Sequence, residues 1–202
     1  MGAVVEVLRG RLADGRTVGW LALAWFLVLP LMIYGRALGG DWFVFGTDTY
    51  SHDYIMHLYG WNTIRETGRM PLWCPYLFCG LPFVASFALC PFHPSQLFYF
   101  VFPHNTAFTL QYVAAVWVAG AAFWWWARRL GCGMAVALWG GTMAALSGHF
   151  LTLTYAGHLQ KMMALAWVPV ALVAVRMLAA RHAGTPVGAA AAEPVASDAT
   201  RA

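Results

Sequence analysis

Four long apolar runs, separated by polar breaks of very unequal length, organise this chain. The first covers residues 17–35 and contains Pro30; the second covers residues 105–127 and stops at Arg128-Arg129. The third, residues 133–153, follows a connection so short that the chain can only reverse direction. The fourth covers residues 162–180, with Pro169 inside it and, near its end, Arg176, a side chain long enough to snorkel toward an interface. Each run approaches the roughly 20 apolar residues that an α-helix needs to cross a bilayer. The pattern predicts an all-α integral membrane protein with about four transmembrane helices.

The break between the first two runs, residues 36–104, is far longer than an ordinary turn and has a pattern of its own. Over residues 54–67, Ile55, Met56, Leu58, Tyr59 and Ile64 are interleaved with His57, Asn62, Arg65 and Glu66, which predicts an amphipathic helix lying in the membrane interface and ended by Gly68. Pro71, Pro75 and Gly80-Leu81-Pro82 then interrupt the backbone repeatedly, and residues 94–102 predict a second short interfacial helix rich in Phe and Tyr. The plainer alternative is an aromatic belt that only anchors the loop. From residue 182 the chain turns to Ala, Gly, Pro and small polar residues, a composition expected to be disordered. No repeat of fixed period and no soluble domain is visible.

Composition excludes a soluble protein: 61% of residues are hydrophobic, 10% are charged, and eleven Trp and thirteen Phe have no place on a solvated surface. The net charge of +4 does not point to nucleic acid, because the arginines flank apolar runs instead of forming a basic stripe. Sorted across the four spans, Arg9, Arg11, Arg16, Arg128, Arg129, Arg176, Arg181 and Arg201 fall on one side, and Arg36, Arg65, Arg69 and Lys161 on the other. By the positive-inside rule the first set is cytoplasmic. Residues 1–16 and 182–202 are then a cytoplasmic N-terminus and tail, residues 36–104 an extracytoplasmic loop, and residues 105–181 the three remaining spans. The first run is longer than the apolar core of a secretory leader, so cleavage after residues 37–39 is not expected. Gly120-Ala121-Ala122 and Gly140-Gly141 with Ala144-Ala145 predict close packing of the second and third spans.

Candidate chemistry concentrates in Gly46-Thr47-Asp48-Thr49-Tyr50-Ser51-His52-Asp53-Tyr54. An acid beside lipid is costly unless it faces a watery pocket, so Asp48 is the first candidate for a functional carboxylate. Partly screened from water, it would have its pKa raised toward the working range of a base. The competing reading makes Asp48 the N-cap of a helix starting near Tyr50 or Ser51. His52 and Asp53 are further candidates; if the segment is helical, Asp48 and His52 share a face and can share a divalent cation, although no metal ligand set is assigned. The topology brings His149, His158, Gln160 and Lys161 to the same side. Lys161, the only lysine, and Arg65 or Arg69 suit a lipid phosphate, with interfacial anchoring as the alternative; His158 suits a hydrogen bond to substrate or phosphate. Cys74, Cys79 and Cys90 share the loop, where an oxidising exterior permits one bridge, but their spacing is not that of a zinc site.

These features, in this order, resemble the start of a GT-C-type membrane glycosyltransferase, and more narrowly the YfhO family of bacterial membrane proteins. The resemblance rests on Gly46-Thr47-Asp48-Thr49-Tyr50, Gly68-Arg69-Met70-Pro71-Leu72-Trp73-Cys74-Pro75, Gly80-Leu81-Pro82, Pro91-Phe92-His93-Pro94, and Ala156-Gly157-His158 leading to Ala166-Trp167-Val168-Pro169. It covers roughly residues 41–173. It implies a GT-C-like N-terminal module, a polyprenyl-phosphate-linked sugar as donor, an envelope acceptor, and transfer on the outer face of the cytoplasmic membrane, with Asp48 at the active centre. Members of the family are several times longer, so the chain corresponds to their N-terminal portion. It is then either part of a transferase or a reduced relative that works with an additional membrane subunit. A non-catalytic subunit packed in a larger complex is the alternative function.

Overall fold

In the computed structural model, residues 15–86 and 90–182 are described. The expected cytoplasmic N-terminus and disordered tail, apart from Gly15, Arg16 and His182, lie outside them. The first helix, α1 (Gly15–Tyr34), holds Pro30 internally and tightens into a 3-10 turn at Gly35–Gly39. The long connection carries a π-helical turn, Thr49–Asp53, that runs directly into α2 (Tyr54–Thr67). A two-residue antiparallel ladder follows, β1 (Trp73–Cys74) on β2 (Leu81–Pro82), then a 3-10 turn at Pro94–Leu97 and the single turn α3 (Phe98–Val101). The rest is helical: α4 (His104–Arg129), α5 (Met134–Ala145), α6 (Gly148–Ala156) and α7 (Leu159–His182).

Four helical stretches are long and apolar enough to cross a membrane: Thr17–Gly39, His104–Arg129, Met134–Ala156 and Leu159–His182. The protein is an all-α, multi-pass membrane protein. The third stretch differs from the unbroken helix expected over residues 133–153. It divides at Ser147, whose backbone is extended and whose Oγ accepts a bond from the Phe150 N–H at 3.5 Å, so that α6 starts afresh and continues to Ala156. A Ser-Gly pair inside an apolar run offers the backbone this alternative partner.

Helix α4 is the centre of the bundle, packing against α1, α5 and α7. Phe26 of α1 is fully buried where α4 and α5 cross, and small residues make room for it. A Cβ on Gly141 would lie 2.7 Å from the Gly120 carbonyl oxygen and 2.6 Å from the Phe26 ring, so the expected close packing of the second and third spans is present. At one end of the bundle the Arg128 guanidinium donates to the Cys132 carbonyl at 2.7 Å and Arg129 lies 5.5 Å from the Trp125 ring centroid.

The opposite end, the loop end, carries residues 40–86 and 90–103. Asn105 Nδ2 donates to the Gly40 carbonyl at 2.8 Å, tying the beginning of the loop to the start of α4. Helix α2 ends at Gly68, which takes the left-handed conformation at φ 69° and caps the Ile64 carbonyl. Its buried face, Met56, His57, Gly60 and Trp61, packs on protein: Trp61 stacks on Tyr99 at 5.2 Å and donates to Gln96 Oε1 at 3.2 Å. Trp61, Phe83 and Tyr99 of the loop are thus internal packing, whereas Trp42, Phe45, Tyr50, Trp73, Tyr76, Phe78, Phe92, Phe100 and Phe102 stay exposed.

Candidate functional site

Two segments more than a hundred residues apart meet at the loop end. Residues 46–50 lie against the turn 156–158 that joins α6 to α7, and the approach is close enough to require glycine on both sides. A Cβ on Gly46 would sit 2.6 Å from Gly157 Cα and 2.8 Å from the Thr154 carbonyl oxygen. A Cβ on Gly157, at φ +85°, would sit 2.4 Å from the Thr49 amide nitrogen. Thr47 Oγ1 donates to the Ala156 carbonyl at 3.1 Å, and the Thr49 hydroxyl bonds the Tyr112 hydroxyl of α4 at 3.2 Å. Tyr34 at the end of α1 closes the same wall through a 2.7 Å bond to Thr154 Oγ1.

This docking presents Asp48 to His158. The His158 Nδ1 lies 3.3 Å from Asp48 Oδ2, and both side chains are partly open to solvent, with 31% of the histidine and 55% of the aspartate side chain accessible. Asp48 makes no side-chain capping bond at the π turn, so its carboxylate is directed to the histidine and not to the backbone of its own helix. A carboxylate beside an imidazole and reachable from outside can accept a proton from a bound hydroxyl and share the resulting charge.

The second acid has the opposite setting. Asp53 is only 4% exposed; its Oδ2 accepts from Gln160 Nε2 at 2.6 Å, and its Oδ1 lies 3.0 Å from His52 Nδ1. Burial pushes the Asp53 carboxyl above the usual carboxylate range, against the lowering effect of the bonds to His52 and Gln160, and the charge of Asp48 pushes it further up. The acid screened from water, expected to be Asp48, is therefore Asp53. The bond to Gln160 ties the π turn to the first turn of α7, as the Asp48–His158 pair ties its start to the residue before α7. A π turn is one residue longer than the α turn it replaces, which changes how the side chains on either side of it are phased. Here Asp48 and Asp53 bracket the turn and face two different partners on one neighbouring segment.

The remaining candidates separate into two groups. His52 is spent on Asp53, so the shared-cation arrangement with Asp48 is not the one adopted, and among the described residues no group of three or more His, Cys, Asp and Glu is placed to hold a metal. Lys161 is exposed in the first turn of α7, three residues after His158. Arg65 lies at the far end of α2, about 18 Å from Asp53 at the rise of an α-helix. Its guanidinium donates to the Tyr99 carbonyl at 2.7 Å and the Phe102 carbonyl at 3.5 Å, which satisfies carbonyls at the end of α3. Arg69 is exposed just beyond the Gly68 cap. The loop cysteines remain thiols, with Cys74 buried, Cys79 exposed and Cys90 between. No family of known sequences matches the chain, and none of the curated proteins or solved structures matches it either.

Gln160 and the Gly46–Gly157 contact carry more of the site than their sequence context suggested. The available signal was a glycine beside each polar motif, Gly46 before Thr47-Asp48 and Gly157 before His158. Behind the site, His57 is wholly buried, stacks on Tyr99 at 5.5 Å and leaves its Nδ1 without a hydrogen-bond partner. Burial lowers its pKa to about 3, with the nearby His104 and His52 lowering it further, so the ring is neutral at physiological pH.

Proposed function

We propose that the protein is a membrane glycosyltransferase, or the N-terminal portion of one, that moves a sugar from a polyprenyl-phosphate donor to an envelope acceptor on the outer face of the cytoplasmic membrane. The observation that carries this reading is the Asp48–His158 pair, 3.3 Å apart and solvent-accessible at one end of a helical bundle long and apolar enough to span a membrane. It is formed by two of the segments on which the family resemblance rests.

In this reading Asp48 removes the proton from the acceptor hydroxyl as its oxygen attacks the anomeric carbon. The bond from that carbon to the phosphate oxygen breaks, and the phosphate leaves with the electron pair. His158 holds the carboxylate and shares the proton. Lys161, exposed three residues after His158, takes the charge that develops on the departing phosphate. Asp53, His52 and Gln160 position Asp48 by locking the π turn to α7. Arg65 and Arg69 have no part in this step, since they lie at the far end of α2. The arginine-rich end of the bundle faces the cytoplasm.

Native mass spectrometry of the protein extracted gently from its own membrane tests the reading. A retained polyprenyl phosphate or its sugar adduct, lost in Lys161→Ala, is the expected result. A chain that retains only a stoichiometric protein partner would transfer the assignment to the second reading, a non-catalytic membrane subunit.

A further inference from the structure

A crevice of about 510 Å³ opens beside the outer end of the first span, where the 3-10 turn Gly35–Gly39 meets the start of the long connection. Ile33, Tyr34, Trp42 and Val44 give it apolar walls, and among the described residues Arg36 is the one charged residue that lines it. Among the described residues Arg36 makes no ion pair, the two ion pairs there being His52–Asp53 and His158–Asp48. Asp41, five residues on, is exposed and is not paired with it. The wall has no hydroxyl to offer, because that of Tyr34 is engaged by Thr154. An unpaired guanidinium at the mouth of an apolar crevice, at the end of a membrane span, is complementary to an anionic amphiphile.

We infer that this crevice binds the headgroup of an anionic glycerophospholipid, with the phosphodiester on Arg36 and the upper part of a chain along Ile33 and Val44. A single guanidinium matches the single charge of a phosphodiester and presents the planar fork that two phosphate oxygens accept. Free polyprenyl phosphate is a more highly charged monoester, for which one cation is a poorer match, whereas its sugar-linked form is a singly charged diester that only direct competition separates from a phospholipid. Tyr34 links the crevice to the Asp48 site: it lines the crevice and bonds Thr154 Oγ1, and the Thr154 carbonyl oxygen lies 2.8 Å from where a Gly46 Cβ would be. A bound phospholipid therefore buttresses the wall on which residues 46–50 dock.

The full chain, stripped of lipid and reconstituted in nanodiscs of phosphatidylcholine with a minority of phosphatidylglycerol, tests this by counting the lipid retained after release into the mass spectrometer. Phosphatidylglycerol should be enriched about tenfold over its share of the bilayer, as a charge-assisted bidentate contact implies. Arg36→Gln should abolish the enrichment, Arg36→Lys should keep a fraction of it, and Arg69→Gln should leave it unchanged. Ile33→Trp, which fills the crevice without removing the charge, should also lose it and covers the case in which Arg36→Gln fails to insert. Equal retention in wild type, Arg36→Gln and Ile33→Trp would overturn the inference. So would displacement by equimolar polyprenyl phosphate or its sugar-linked diester, which would give the crevice to the carrier lipid, or by millimolar inorganic phosphate, which would make it a bare anion site. None of these measurements depends on sugar transfer.

Discussion

Asp48 and Asp53 stand five residues apart and are used differently, one half-open and paired with a histidine, the other buried on a glutamine. The candidate acid was legible from Asp48 alone in an apolar setting, but its partner was not. His158 is 110 residues away, and the Gly46–Gly157 contact, with the Thr47–Ala156 and Asp53–Gln160 bonds, brings the two together. That contact makes a prediction: Gly157→Ala combines a left-handed backbone with a collision against the Thr49 amide, and should cost about 1–3 kcal/mol. Thermal unfolding in detergent should show the loss, and limited proteolysis should show cleavage near residues 46–54. Gly35→Ala, with open space around it, is the control and should be near neutral. His57 gives a second prediction. Its folded pKa of about 3 lies below its ordinary 6.5, so unfolding takes up a proton between those values. The stability it contributes is present above about pH 6.5 and is lost as pH falls toward 3, at no more than about 1.4 kcal/mol per pH unit. His57→Phe keeps the aromatic packing, and its stability should fall less steeply than that of wild type over this range. Identical slopes would mean that His57 is not the titrating group.

At the scale of elements, hydrophobic spacing and glycine placement anticipated a good deal. The periodicity over residues 54–67 and the Gly68 stop correspond to α2 and its cap, because both signals are local. The break at Ser147 and the π turn were not legible. The Ser147 break is a local cap hidden inside an unbroken apolar run, whereas the π turn depends on the two anchors that Asp48 and Asp53 find near the start of α7. The partners of Arg65 are hidden for a related reason: its charge suggests a phosphate, while the fold supplies carbonyls of Tyr99 and Phe102. If the π turn sets the phase of Asp48 against Asp53, then deleting Ser51 should convert it to an α turn and rotate the preceding residues by about 100°. Circular dichroism should show unchanged helix content while the proposed transfer is lost. Retained transfer would show that the phase of this turn is immaterial.

For the molecule as a whole, the bundle was readable because crossing length and composition are properties of the chain itself, whereas the loop end was not, because its aromatics divide between packing and exposure in a way only contacts decide. The proposed orientation places Cys79 outside the cytoplasmic membrane and Cys132 inside it. Cys79 is exposed, so a membrane-impermeant maleimide should label it in intact cells, and Cys132 should react only after permeabilisation. The reverse pattern would invert the topology and remove the site from the outer face. The central claim, that Asp48 with His158 performs sugar transfer, is met most directly by assaying membranes containing wild type or Asp48→Asn with a radiolabelled polyprenyl-phosphate sugar. The pair is partly exposed, so the substitution should change stability by no more than about 1 kcal/mol. Asp48→Asn should be stable and correctly inserted, with transfer reduced about 10²–10⁴-fold. Transfer at the wild-type rate by that protein would contradict the claim.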